Sequence, residues 1–219
     1  MININKNILQ NTAALSGIAV FTIGIPGLMF MGFLKPGYDP FCHTVSKLGE
    51  FGGYNYRVVA FLFIISGIFE IIYAAGLMSA LQRNLSSVTG TILLILHGVF
   101  DNIGSGIFPC DFGGLHESFS GQMHLLLAAI GMLALLIAPY FFWRAFYRDS
   151  RFSGRRLVNF TALIALIITG VVIAGITAGA FKISFIANLA GLMQRSVYFP
   201  YYIWILVVSI KMLRDEQYH

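Results

Sequence analysis

The hydrophobic positions of this chain gather into six long runs separated by short polar stretches, without the alternation expected of strands. A helix needs about 20 mostly apolar residues to cross a hydrocarbon core of about 30 Å. Residues 11–34, 58–81, 86–108, 121–142, 157–181 and 196–213 meet that requirement. The pattern predicts an all-α, polytopic membrane protein with six transmembrane helices in a single domain over residues 1–219. The first run is too long for a signal peptide, and Phe33-Leu34-Lys35-Pro36-Gly37 after it lacks a small-residue cleavage pattern. It is therefore expected to be a retained helix.

Composition supports lipid as the solvent. Only 11% of residues are charged and 58% are hydrophobic, whereas a soluble domain carries about 25% charged residues. The net charge of +5 comes largely from one arginine-rich loop, so it reads as a topology signal and not as a nucleic-acid patch. With the N-terminus inside, the inner face holds Lys6, Arg83, Arg144, Arg148, Arg151, Arg155, Arg156, Lys211 and Arg214. The outer face holds Lys35, Lys47, Arg57, Lys182 and Arg195, nine against five of the chain's 14 basic residues. The positive-inside bias then places both termini in the cytoplasm and the protein in the cytoplasmic (inner) membrane.

Several local features carry expectations of their own. Pro26 is expected to kink the first helix. Gly175 and Gly179, with Gly170, Ala174 and Ala178 alongside, predict close helix packing inside the molecule. Tyr140, Trp143, Tyr198, Tyr201 and Tyr202 fit interfacial belts. The mostly apolar segment 182–195 suits the membrane interface or a return into the protein.

Chemistry concentrates toward the outer loops, 35–57 and 109–120. Glu70 and His97 fall about midway along antiparallel helices, so they should meet near the bilayer midplane. Asp101 follows His97 by one helical turn on the same face, toward the outside. Ionisable groups at that depth are costly and face the bundle interior with partners. Glu70, His97, Asp101, Asn102, His116 and Arg195 are the candidate ligand-binding residues of a polar outer-leaflet pocket. Arg195 is suited to a carboxylate or phosphate, or to pairing with Asp111, Glu117 or Glu50. His97 and Asp101, completed by His43, His116 or His124, are the candidate ligands of a zinc ion. Ser46, with His43 three residues earlier, is a candidate nucleophile or a capping hydroxyl. These readings make His97, Asp101, His43, Ser46 and His124 the candidate catalytic set. Cys42 and Cys110 both map to outer loops, where an oxidising compartment favours a disulfide.

The stretch His43-Thr44-Val45-Ser46-Lys47-Leu48-Gly49 resembles a signature of the domain-of-unknown-function 998 proteins, a prokaryotic integral-membrane family. Gly106-Ile107-Phe108-Pro109-Cys110-Asp111 with His124 is similar to a second signature, and Gln194-Arg195 to a third. Lys47 stands where the family pattern has an acidic residue. The resemblance implies a membrane fold over nearly the whole chain and carries no activity with it. More remotely, the layout is similar to the six-helix Frag1/DRAM/Sfk1 membrane proteins, some of them linked to lipid handling. Three functions follow for testing: a membrane protein binding lipid or a small molecule, a metal-assisted hydrolase or lipid-remodelling enzyme, and a proton-coupled carrier using Glu70.

Overall fold

The computed structural model describes residues 2–181 and 188–216, with side chains described for 8–181 and 188–214. Residues 182–187 of the apolar segment 182–195, Lys182 among them, as well as the side chain of Lys6, lie outside the described residues. Among the described residues the fold is all helical. Six helices are long and apolar enough to cross a membrane: α1 (Ile8–Leu34), α2 (Tyr56–Ala80), α3 (Leu85–Ile107), α4 (Phe119–Arg148), α5 (Arg155–Ala180) and α6 (Ala190–Arg214). The start of α3 is set by Asn84, whose side chain accepts from the backbone N–H groups of Ser86 and Ser87. Ser87 returns the bond to the Asn84 N–H, completing a capping box.

Each helix packs on its neighbours in sequence, and α1 packs on α6, so the six close into a ring. Large side chains fill its middle. Trp204 of α6 packs against Phe142 and Phe146 of α4, and Phe146 stacks on Phe152 from the arginine-rich loop. The Trp204 indole N–H donates to Thr161 of α5 at 3.1 Å. The aromatic portion of the core thus lies toward the arginine-loop end. That end is closed by Asp149, which accepts from the Gln82 N–H at 2.7 Å, and by Arg151, which reaches the Ala80 carbonyl.

The opposite end is capped by the two richer loops. Glu50 is the knot: it accepts from Lys35 Nζ and from the Gly113 N–H, each at 2.7 Å, while 3% exposed. The Phe51 N–H donates to the Cys110 carbonyl, and the Leu192 N–H at the start of α6 donates to the Phe41 carbonyl. A polar lid of this kind satisfies backbone groups that lipid cannot.

The structure corrects several expectations. Tyr198, Tyr201 and Tyr202 are not an interfacial belt; all three are buried in the bundle. The glycines of the α5 stripe do not pack closely on the other described residues: added Cβ atoms at Gly170 and Gly179 would meet none of them and one at Gly175 only Met193, although Ala178 is buried. The Cys42–Cys110 disulfide is not formed. Cys110 is buried with its thiol directed at the Ser46 carbonyl, 3.4 Å away, whereas Cys42 is exposed beside Asp39. Burial and the Glu50 carboxylate push the Cys110 thiol up to about 11. Pro26 does disturb α1, as a π-helical turn over Ile23–Gly27.

Candidate functional site

The site begins with two close helix approaches. At Gly67 of α2 a side chain would collide with the Gly98 carbonyl of α3, at 2.4 Å. At Gly131 of α4 a Cβ would lie 2.4 Å from the Asp101 Cβ and 2.7 Å from its backbone N. Helices α2 and α4 therefore press on α3 from two sides, around the segment that carries His97, Asp101 and Asn102. That segment, His97–Ile103, is a π-helical turn. Such turns insert a residue into the helical ladder and recur at functional sites.

A buried acid–imidazole–acid chain with phenolic support runs through this segment. His97 Nδ1 lies 2.8 Å and 2.9 Å from the two Glu70 oxygens. An ionised carboxylate only accepts, so Nδ1 carries the proton and donates. Asn102 Nδ2 donates to Glu70 Oε2 at 2.8 Å, and the Tyr201 hydroxyl donates to Oε1. Glu70 and His97 are both fully enclosed. The sequence expectation that these two meet at matching depth is met. On the far side of the ring, His97 Nε2 stands 3.1 Å from Asp101 Oδ2 but is not aligned for a hydrogen bond. Asp101 Oδ2 instead accepts from the Tyr198 hydroxyl at 2.6 Å.

The two acids end in different surroundings. Glu70 has protein donors on both oxygens and no free face. Asp101 lines a small cavity of about 30 Å³ together with Ser46, Asn102, Ser105, Gln194 and Tyr198, room for about one water molecule. Leu28 and Phe199 wall this cavity and also wall a larger apolar groove of about 880 Å³ between α1 and α6. A narrow polar annex thus adjoins a broad apolar space.

The remaining candidates do not converge on Asp101. His43 stays in the first loop, where its Nδ1 accepts from the Asp39 N–H at 3.1 Å and its ring packs on Tyr38. It is not paired with Ser46, whose own place is in the annex wall. His124 donates from Nδ1 to the Phe108 carbonyl at 2.9 Å, leaving Nε2 buried and without a hydrogen-bond partner. Its ring is 6.0 Å from that of His116. Helix α4 starts at Phe119, beyond His116, so the two histidines are closer than eight continuous helical residues would allow. Even so, among the described residues no group of three or more His, Cys, Asp or Glu side chains is arranged to hold a metal ion. Among the described residues the geometry therefore does not show the expected completion of a zinc site on His97 and Asp101 by His43, His116 or His124.

Arg195 is also corrected. It pairs with none of Asp111, Glu117 or Glu50; it donates to the carbonyls of Pro40, His43 and Gly191 and to the Tyr38 hydroxyl. Asp111 serves its own loop, accepting from Ser118 Oγ and from the Ser118 and Glu117 N–H groups, which hold its carboxyl below the usual carboxylate range. Sequence reading missed Tyr198, Tyr201, Ser105 and Gln194. The i, i+3 spacing of Tyr198 and Tyr201 marks one face of α6, which is the signal that points both hydroxyls at the acids.

No curated protein and no solved structure matches the chain. A family model does, that of a protein of unknown function (DUF998), over residues 16–211. That match spans the four complete helices α2–α5 and most of α1 and α6, including every residue of the Glu70–His97–Asp101 chain, and the protein belongs to the DUF998 family of integral membrane proteins of unassigned activity.

Proposed function

We propose that the protein binds a lipid or another small amphipathic molecule at its loop-capped end, as a multi-pass protein of the cytoplasmic membrane with both termini in the cytoplasm. The observation that carries this reading is the contrast between the two buried acids. Glu70 is sealed by four donor contacts from three side chains, whereas Asp101 presents its carboxylate to a cavity lined by Ser46, Ser105 and Gln194. A buried charge is expensive to keep in a membrane protein and is normally held for a purpose or fully paired. The adjoining groove has the size of a ligand pocket, a range of about 300–1,000 Å³. An apolar tail along the groove with a polar group near the annex suits both.

A second reading has one observation in its favour. His97 sits between two carboxylates, next to an annex that also holds the hydroxyls of Ser46 and Ser105. An acid–base enzyme acting on a lipid would use Asp101 as the proton acceptor, with Tyr198, which donates to it, as its positioning partner. A carrier that loads protons on Glu70 requires a water path to that residue, and its complete enclosure argues against it.

Native mass spectrometry of the purified protein separates these readings. We expect a retained amphiphile of unchanged mass, and we expect Ser105→Val, which narrows the annex without touching Glu70 or His97, to reduce its retention. Recovery of a cleaved lipid would favour the enzyme. A wild-type protein that retains nothing, or a Ser105→Val protein that retains as much as wild type, would contradict binding at the annex.

A further inference from the structure

The groove between α1 and α6 holds a charge that the Asp101 annex does not account for. Its walls are apolar along Leu28, Met29, Phe33, Leu192 and Phe199. Met29 is 55% and Phe33 87% exposed, so the groove opens sideways to the surface that six spanning helices turn toward lipid. Two cations line its loop-capped end, Lys35 and Arg195. Lys35 is neutralised by Glu50 at 2.7 Å. Arg195 is not neutralised: it is only 9% exposed, and no carboxylate among the described residues forms an ion pair with it. Its Nη1 donates to the carbonyls of Pro40 at 2.6 Å, His43 at 3.0 Å and Gly191 at 3.1 Å, and its Nη2 to the Tyr38 hydroxyl at 2.5 Å.

Those acceptors engage the guanidinium and fix it in place, but all of them are neutral. A guanidinium keeps its charge under all ordinary conditions. A buried cation without an anion remains poorly compensated, and a phosphate is among its best partners. We infer that the groove takes an anionic phospholipid, with the phosphate acting as counter-ion to Arg195 and an acyl chain lying along α1 and α6. The inference rests on the amphiphile-binding reading and names the ligand class. A purely structural Arg195, clamping the first loop to α6, would make the same four bonds without selecting any lipid.

The experiment is native mass spectrometry after equilibrating the purified protein with mixed micelles of equal phosphatidylglycerol and phosphatidylcholine. Both lipids carry a phosphate, but the choline ammonium of phosphatidylcholine cancels its net charge and would stand near Lys35 and Arg195, so wild type is expected to retain phosphatidylglycerol over phosphatidylcholine by about tenfold. Ser196→Asp sets a carboxylate in the groove wall beside Arg195 and leaves the four clamping bonds in place. It is expected to keep the wild-type melting temperature and lose the preference; Arg195→Gln is expected to lose it as well. If Ser196→Asp does not fold, Phe33→Glu at the exposed rim supplies the same negative charge, with the same expected loss. Equal retention of both lipids by wild type, or a wild-type preference surviving in the folded acidic variant, overturns the inference. If wild type retains both lipids equally and Ser105→Val lowers both, only this inference fails. If wild type retains neither, the binding reading fails with it.

Discussion

Glu70 and Asp101 are both carboxylates buried in apolar helices, yet their partners assign them different work. Glu70 receives His97, Asn102 and Tyr201 and is fully enclosed. Removing one member of such a buried set leaves another group uncompensated, at a cost of about 3–5 kcal/mol for an ion pair. Glu70→Gln and His97→Ala are therefore expected to lower the melting temperature strongly, while Tyr201→Phe, which loses one hydroxyl bond, costs about 1 kcal/mol. Thermal unfolding in detergent checks this ranking; a His97→Ala protein as stable as wild type would contradict it. The pairing of Glu70 with His97 was legible in the sequence, because antiparallel helices of known rise fix the depth of each residue. The tyrosines were not. An α6 expected to begin at Ser196 puts Tyr198 and Tyr201 at the interface, whereas the observed start at Ala190 carries Tyr198 eight residues, about 12 Å, into the helix.

At the level of elements, all six spans were readable from hydropathy, since lipid tolerates only long self-satisfied helices between polar loops. Their ends were less readable. Helix α4 continues to Arg148, past the expected end at residue 142, because Arg144 and Arg148 carry long stems that let charged heads reach polar surroundings while the helix goes on. The π turn over His97–Ile103 left no trace that composition or spacing reveals, and it decides where Asp101 faces. Nor did the sequence show that Gly131 makes room for α3. A Cβ there would meet the Asp101 backbone at 2.7 Å, so Gly131→Ala must push α3 and α4 apart, an overpacking cost of about 1–3 kcal/mol. A melting temperature unchanged by Gly131→Ala would show that α3 and α4 do not approach so closely.

For the whole molecule, the loops divide by chemistry. The arginine-rich loop and the Gln82–Asp149 contact close one end, and Glu50, Arg195 and the Asp111 turn close the other. If the positive-inside bias sets orientation, reporter fusions after Arg83 and Arg151 read cytoplasmic and a fusion after Gly113 reads external. A cytoplasmic signal at Gly113 would invert the molecule and place the groove in the inner leaflet. Orientation aside, the proposed function depends on Asp101 belonging to a ligand and Glu70 to the fold. A ligand that binds only the folded state raises its melting temperature with concentration. The most direct test is thermal unfolding of wild type, Asp101→Asn and Glu70→Gln with phosphatidylglycerol, whose headgroup hydroxyls supply donors for Asp101, titrated into the detergent. Asp101→Asn is expected to melt near wild type without lipid and to lose most of the lipid-induced rise, while Glu70→Gln melts lower at every lipid concentration. An Asp101→Asn protein that keeps the full rise, or that is destabilised as much as Glu70→Gln without lipid, would contradict the assignment.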